Sequence, residues 1–255
     1  MDQIWYGLKD KVFVVTGGSR GIGLGLSRQL LTQKAKVVFC ARKQDGLDSA
    51  LVELGGGGDS VLAVAAHIAR EEDVENIFRQ TMERFGRVDA LVNNVGMNLL
   101  TPSLADTSTA TWQKIIDSNL TGTYHCSKAA AVIMKEQRSG KIVNISSIAA
   151  CRPAPGMGVY GVAKAGIEML TKVLAAELAA YNIQVNAVAP CMVKTGFSEP
   201  FWSNEDVCTE IVRRIPLGRL AEVGDIIHPV LFLCSDGADF ITGQVVAVDG
   251  GATTI

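Results

Sequence analysis

Short apolar runs alternate with longer segments of helical periodicity along this chain. Seven of the runs are rich in β-branched residues, and they predict strands over residues 11–16, 36–41, 61–66, 88–92, 141–146, 183–189 and 244–249. The runs are nearly continuous in apolar residues rather than alternating, as in strands that are buried on both faces. The pattern therefore indicates a parallel sheet with helices on both faces.

The segments between the strands place apolar residues three and four positions apart, which predicts helices. These helices cover residues 20–34, 45–54, 71–85, 111–137 and 160–181. The last helix is apolar on nearly every face, so we expect the sheet to cover one side and a second subunit the other. No linker or repeat divides the chain, and the fold class is a single doubly wound α/β domain over residues 1–255. Residues 196–220 interrupt the alternation with Phe197, Phe201 and Trp202, which predicts a lid or substrate loop.

Composition excludes several classes of function. The chain carries 24 basic and 26 acidic residues, a net charge of −2, and without a basic surplus we expect no nucleic-acid partner. Its six cysteines form no CxxC pair and only three histidines accompany them, so we expect no metal site. Residues 1–11 hold no apolar leader and no run of 18 apolar residues follows. We therefore expect no membrane span and a cytoplasmic protein whose thiols are reduced core residues.

A glycine-rich turn follows the first predicted strand. Residues 16–23 read TGGSRGIG and a helix begins at once. Glycines let the backbone approach a pyrophosphate closely, and the helix N-terminus offers free N–H groups to that anion. The spacing is GxxxGxG rather than GxGxxG, and in this strand–turn–helix context it predicts a dinucleotide site.

The second strand ends in Arg42 and Lys43, and Arg20 lies inside the glycine turn. A carboxylate at this point of a doubly wound fold binds the ribose hydroxyls of NAD, whereas a guanidinium binds the 2′-phosphate of NADP. The cofactor we expect is therefore NADP(H).

Tyr160 and Lys164 are four residues apart at the start of a predicted helix, so they share one face. A nearby ammonium favours the phenolate, and we expect it to lower the tyrosine pKa towards the working range of an acid–base catalyst. Ser147 follows the fifth strand, 13 residues before Tyr160, at the edge where doubly wound folds place their sites. Asn119 is an unexpected amide in a helix with apolar neighbours.

Taken in order, these pieces resemble the short-chain dehydrogenase/reductase family, which has a Rossmann fold. The matching pieces are TGGSRGIG, NNVG at residues 93–96, Asn119, Ser147, YGVAK at residues 160–164, residues 190–195 and VDGG at residues 248–251. The resemblance implies a catalytic set of Asn119, Ser147, Tyr160 and Lys164. Tyr160 would be the general acid, Ser147 would bind the substrate oxygen, Lys164 would bind the nicotinamide ribose, and Asn119 would hold a water of a proton relay.

The resemblance also implies the cofactor contacts. Asn94 and Gly96 would line the adenosine-side ribose, and Val193 and Thr195 would hold the carboxamide. The full expected set is Gly17, Ser19, Arg20, Gly21, Ile22, Gly23, Arg42, Lys43, His67, Ile68, Asn94, Gly96, Tyr160, Lys164, Pro190, Val193 and Thr195. Three positions depart from the family: Val95 for alanine, Cys191 for glycine and His67 for an aspartate that contacts adenine.

The expected function is a carbonyl reductase or alcohol dehydrogenase acting on a medium-sized, apolar small molecule. The substrate contacts expected are Met97, Asn98, Leu99, Ile148, residues 151–159 and residues 197–202. Two alternatives remain open. One is a 3-oxoacyl-thioester reductase, with Lys194, Arg213, Arg214 and Arg219 docking an acidic carrier; the other is a non-catalytic NADP-binding sensor or subunit. The resemblance further implies a homodimer or homotetramer.

Overall fold

Seven strands form one parallel sheet in the computed structural model, which describes residues 6–56 and 58–254. The strands are β1 (Val12–Thr16), β2 (Lys36–Ala41), β3 (Val61–Ala65), β4 (Ala90–Asn93), β5 (Gly140–Ile145), β6 (Ile183–Pro190) and β7 (Val245–Val248). Their order across the sheet is β3-β2-β1-β4-β5-β6-β7. The predicted fold class and all seven strands are confirmed.

Helices cover both faces of the sheet. They are α1 (Gly21–Thr32), α2 (Gln44–Glu53), α3 (Glu71–Phe85), α4 (Thr109–Ile116), α5 (Gly122–Gln137), α6 (Gly158–Leu178), α7 (Glu199–Trp202), α8 (Glu205–Arg213) and α9 (Val223–Leu233). Along β1, Phe13 and Val15 face a core shared with α1, α2 and α9, while Val14 faces a core shared with α3, α5 and α6. Successive strand residues point to opposite faces, so a continuous apolar run supplies both cores.

Two helical predictions need correction. The helix predicted over residues 111–137 is two helices, α4 and α5, joined by a π-helical turn at Asp117–Thr121. The sequence analysis also assigned no helix to residues 223–233, where the structure has α9 with Pro229 inside it. A capping box between Glu222 and Asp225 starts that helix, and Ile226, Val230 and Leu231 bury it against the sheet.

The segment predicted as a lid contains α7 and α8. On α6, Val162, Met169 and Val173 are exposed, so the sheet covers only one side of this apolar helix. In residues 6–56 and 58–254, no helix combines the length and apolar content that a bilayer crossing needs. The expectation of no apolar leader concerns residues 1–11, of which residues 1–5 lie outside the described residues.

The six cysteines are all free thiols. Cys40, Cys126 and Cys234 are buried as expected, but Cys151 is exposed and Cys191 and Cys208 are half-buried. The expectation of six core thiols is therefore wrong for three of them, because Cys151 and Cys191 lie in loops at the edge of the sheet and Cys208 lies in α8 of the lid.

Candidate active site

A cleft of about 1540 Å³ runs along the carboxyl edge of the sheet. It is lined by the residues that follow six of the strands, from His67 after β3 at one end to Pro190 in β6 at the other. Of the predicted catalytic and cofactor-binding residues, all line this cleft except Gly23 and Asn119. Parallel strands bring their carboxyl ends to one edge, which is why positions far apart in sequence meet here.

The glycine turn allows α1 to begin directly against the end of β1. Gly17 and Gly21 adopt positive φ angles of 69° and 55°, which favour glycine. A Cβ on Gly23 would lie 2.3 Å from the carbonyl oxygen of Gly17, so Gly23 serves close packing rather than lining the cleft. No side chain caps α1 at Arg20, which leaves its first N–H groups available to an anion.

Three cations line the cleft where β2 ends. Arg20, Arg42 and Lys43 are exposed, and none of them lies within 4.0 Å of a carboxylate oxygen in the described part of the chain. Among described residues, the only carboxylates that line the cleft belong to Asp206 and Glu210 of α8. The β2 end can therefore bind an anionic group without competition from any acid that the structure describes at this end.

Tyr160 and Ser147 meet at the other end of the cleft. The Ser147 hydroxyl accepts a hydrogen bond from the Ala149 amide at 3.2 Å, which leaves its own proton free to donate. The side chain of Tyr160 is 7% exposed, and the Phe197 ring lies 6.4 Å from its ring, centroid to centroid. Two hydroxyl donors therefore converge where a substrate oxygen could bind.

Lys164 lies beneath this pair. Its ammonium donates to the Ile145 carbonyl at 2.7 Å and lies 5.5 Å from the centroid of the Tyr160 ring. The side chain is 2% exposed, and burial lowers the Lys164 pKa to about 8. Sequence reasoning did not find the Ile145 carbonyl, because a backbone acceptor has no sequence signal.

The expected lowering of the Tyr160 pKa is wrong for this structure. Burial raises the pKa of Tyr160 to about 12, and the contact with the Ser147 hydroxyl opposes that shift without overcoming it. Desolvation of the phenol is thus the largest cause of the Tyr160 pKa shift. Tyr160 is therefore protonated at neutral pH, the form that can donate a proton.

Asn119 is completely buried at the π-helical turn. Its amide nitrogen donates to the carbonyl oxygens of Met97 and Ile115, each at 2.8 Å, and its amide oxygen accepts from the Met97 N–H at 3.2 Å. The side chain thus ties the segment after β4 to the helix. These contacts occupy the side-chain amide, and the expected role of Asn119 in a water relay stays a prediction.

Asn94 and Gly96 lie at different places in the cleft. The Asn94 amide donates to the carbonyl oxygens of Thr16 and Gly17 at 3.0 and 3.1 Å, which anchors the glycine turn. A Cβ on Gly96 would lie 3.9 Å from Lys164 Nζ. Gly96 therefore lies beside Lys164, and its contact with the adenosine-side ribose stays a prediction.

Comparison with known proteins agrees with this geometry. The family model described as Enoyl-(Acyl carrier protein) reductase matches residues 17–253. The chain is 38% identical over 245 residues to Dehydrogenase/reductase SDR family member 4 from Oryctolagus cuniculus, covering 96% of this chain and 94% of the relative. This chain belongs to the short-chain dehydrogenase/reductase family.

Two further relatives extend the comparison. A 3-oxoacyl-[acyl-carrier-protein] reductase from Synechocystis sp. is 38% identical over 250 residues, covering 96% of this chain and 97% of the relative. The solved structure of ElxO with NADP bound superposes with a TM-score of 0.90 at 32% identity, covering 96% of this chain and 100% of that one. The oxidoreductase class of this chain follows from its family.

In this short-chain dehydrogenase/reductase, the loop after β6 closes over the glycine turn. Val193 pairs with Ala221 in an isolated parallel bridge, and the Thr195 methyl carbon lies 3.5 Å from where a Cβ on Gly21 would be. Trp202 donates its indole N–H to the Thr195 carbonyl at 3.0 Å and so packs α7 onto the body. Cys191 keeps the β6–β7 register, since its amide donates to Val248 at 3.3 Å.

The sequence placed α8 within the predicted lid or substrate loop of residues 196–220 but, apart from Arg214, did not identify its lining residues. Five residues on one face of α8 and just after it line the cleft: Asp206, Val207, Glu210, Ile211 and Arg214. Their helical spacing is a signal that could have found them. Of the expected substrate contacts, those that line the cleft are Met97, Asn98, Ile148, Arg152, Pro153, Ala154, Met157, Phe197, Ser198, Pro200 and Phe201. Those that do not are Leu99, Cys151, Pro155, Gly156, Gly158, Val159, Glu199 and Trp202.

Proposed function

We propose that this chain is an NADP(H)-dependent oxidoreductase that interconverts a ketone and a secondary alcohol by hydride transfer. One observation carries the proposal: the Ser147 and Tyr160 hydroxyls converge beside Lys164, in a cleft whose other end carries unpaired cations. Two neutral hydroxyl donors at one point stabilise a substrate oxygen that gains negative charge in the transition state.

The residues of the cleft fit a dinucleotide phosphate. The close approach of Gly23 to Gly17 and the uncapped start of α1 form a cradle that a pyrophosphate can enter. Arg42 and Lys43 would bind the 2′-phosphate, and Lys164 would bind the hydroxyls of the other ribose. When bound, the nicotinamide cofactor supplies or accepts the hydride.

The chain's own residues would manage the proton. During reduction Ser147 and Tyr160 donate hydrogen bonds to the carbonyl oxygen as negative charge grows there, and the Tyr160 phenol then transfers its proton to that oxygen. Lys164, held by the Ile145 carbonyl, stabilises the phenolate that remains. The reverse reaction needs the phenolate as base.

A panel of apolar ketones, diketones, acyl thioesters and secondary alcohols tests this function. Each substrate is assayed spectrophotometrically with NADPH or NADH, and with the oxidised cofactors for the alcohols. We expect turnover of medium-sized apolar ketones, since Met97, Ile148, Met157, Phe197 and Phe201 line the cleft. Tight NADPH binding without turnover of any substrate would instead favour the non-catalytic sensor.

Replacing Arg42 by alanine tests the choice of cofactor. Among the described residues the exposed guanidinium has no carboxylate partner, so its loss removes a charge-assisted phosphate contact and leaves the fold unchanged. We expect the KM for NADPH to rise about 10- to 100-fold and the KM for NADH to change less than about threefold. Arg70→Ala, an exposed position outside the cleft, is the matched control. Equal effects of Arg42→Ala on both cofactors would contradict the proposed phosphate contact.

The acyl-thioester reductase remains the second candidate, supported by the cyanobacterial relative. Of the four cations expected to dock a carrier, only Arg214 lines the cleft. Arg213 pairs with Glu210, Arg219 forms a two-point ion pair with Asp225, and Lys194 lies 5.4 Å from the Trp202 ring centroid. This arrangement favours a small carbonyl substrate over a carrier-bound one.

We also propose that α6 pairs with a second copy of this chain in a homodimer or homotetramer. Its exposed residues Val162, Met169 and Val173 are 42%, 59% and 43% exposed and follow one stripe of the helix. Light scattering should give at least twice the 27.1 kDa chain mass, and a monomeric mass would contradict the pairing.

The six free thiols support a reducing compartment such as the cytoplasm.

A further inference from the structure

His67 occupies the far end of the cleft from the catalytic pair. It follows β3, the edge strand, while Ser147 follows β5, four strands away in the sheet order. At about 4.8 Å between strands the two positions are about 19 Å apart along the edge. A dinucleotide whose reactive ring lies beside Tyr160 therefore directs its purine towards His67. This step rests on the proposed function.

Three backbone hydrogen bonds hold His67 in place. Its N–H donates to the Asp73 carboxylate at 2.8 Å, and its carbonyl accepts from the Arg70 amide at 2.8 Å. Its ring Nδ1 accepts from the Ala69 amide at 3.2 Å. The ring is part of the turn that leads into α3, and its orientation is set before any ligand binds.

The Ala69 contact also determines which ring nitrogen carries the proton. A backbone N–H can only donate, so Nδ1 must be the unprotonated acceptor and Nε2 must carry the hydrogen. Since His67 lines the cleft and Nδ1 is occupied, the polar atom left for a ligand is Nε2–H, a donor.

The other polar side chains at this end are also mainly donors. Arg20, Arg42 and Lys43 have no acceptor atoms, and among described residues the carboxylates that line the cleft are those of α8, at the substrate end. Adenine presents an amino donor at its position 6, whereas a 6-oxopurine presents an acceptor there.

We propose that His67 reads the purine of the cofactor as a hydrogen-bond donor, so that this site does not select for the 6-amino group of adenine. Most of the affinity at this end then comes from Arg42 and Lys43 on the phosphate, and the base is recognised by its shape and ring acceptors. A cofactor whose base is hypoxanthine should bind about as well as NADPH.

Two substitutions at His67 separate hydrogen-bond polarity from turn structure. An aspartate or asparagine oxygen can accept the Ala69 amide two residues on, as in an Asx-turn, so both variants keep the turn. His67→Asp then presents a second oxygen, an acceptor, to the cleft. His67→Asn presents an amide donor there and is the matched control.

The test is isothermal titration calorimetry of the full-length wild type and both variants with NADPH and with its reduced hypoxanthine analogue. The quantity compared is the ratio of the two Kd values within each protein, which cancels the general effect of a new negative charge on phosphate binding. We expect a ratio within about threefold of one for the wild type and for His67→Asn. For His67→Asp we expect a preference for NADPH of about tenfold or more, because a charged acceptor would bind the amino group.

Two results would overturn this inference alone, and a third would also overturn the proposed function. A wild type that prefers NADPH over the analogue by tenfold, or a ratio that His67→Asp leaves unchanged, would overturn the inference and leave the proposed function standing. No binding of either nucleotide by the wild type would overturn the proposed function and this inference with it. Circular dichroism of each variant shows that the fold is retained.

Discussion

Phenylalanine in place of Tyr160 should lower kcat by about 10²- to 10⁴-fold, the usual contribution of a positioned general acid. The ring stays and keeps its packing against Phe197, so only the proton donor is lost. NADPH affinity should change less than about threefold, because the effect is confined to the transition state. Steady-state kinetics and a binding titration measure the two quantities. Retention of more than about a tenth of the wild-type rate would show that Tyr160 is not the acid.

Tyr124→Phe is the matched control for this substitution. Tyr124 is an exposed tyrosine on α5 outside the cleft, so removal of its hydroxyl should leave kcat unchanged.

The pH dependence of the reaction is a second test of the role of Tyr160. Because burial raises the Tyr160 pKa to about 12, the phenolate fraction grows with pH throughout the range from 6 to 9. Alcohol oxidation should therefore speed up as pH rises, and Tyr160→Phe should remove that dependence.

Alanine in place of Gly23 should disrupt the cofactor cradle and weaken the fold. The added Cβ would lie 2.3 Å from the Gly17 carbonyl oxygen and 2.6 Å from the Asn94 amide nitrogen, which itself binds Thr16 and Gly17. Overpacking of this kind costs about 1–3 kcal/mol, or roughly 2–10 °C in Tm for a chain of this size. We expect NADPH affinity to fall about tenfold or more, since α1 must move away from the turn.

Gly224→Ala is the comparison for this variant. Gly224 lies in α9 with nothing within 4 Å of its ideal Cβ, so alanine there should keep or slightly raise Tm and leave NADPH binding unchanged. Thermal unfolding and a binding titration compare the two. Wild-type affinity and Tm in Gly23→Ala would show that the turn can relax and that close packing at Gly23 is not needed.

The candidate catalytic residues Ser147, Tyr160 and Lys164 were predictable because each has a local sequence context. Ser147 follows an apolar strand, and Tyr160 and Lys164 share a helical face, so strand and helix periods alone bring them to one edge of a parallel sheet. Arg42 is predictable for the same reason. Residues at one end of a regular element are positioned by that element, and the resemblance to a family added their roles.

Other features could not be predicted from local patterns. The pKa of Tyr160 depends on how completely its surroundings exclude water and on the contact with the Ser147 hydroxyl. The pairing of Arg219 with Asp225 removes a cation that the sequence offered for a carrier. The tautomer of His67 depends on one backbone amide of a turn.

The sequence by itself determined the alternation of strands and helices, the glycine turn and the identity of the residues that meet at the cleft. These follow from short-range periodicity and from steric rules that act within a few residues. Only the tertiary structure decided which charges remain unpaired, which α8 side chains reach the cleft and whether the phenol at Tyr160 is protonated. Those properties depend on desolvation and on contacts between segments far apart in the chain, which no local pattern encodes.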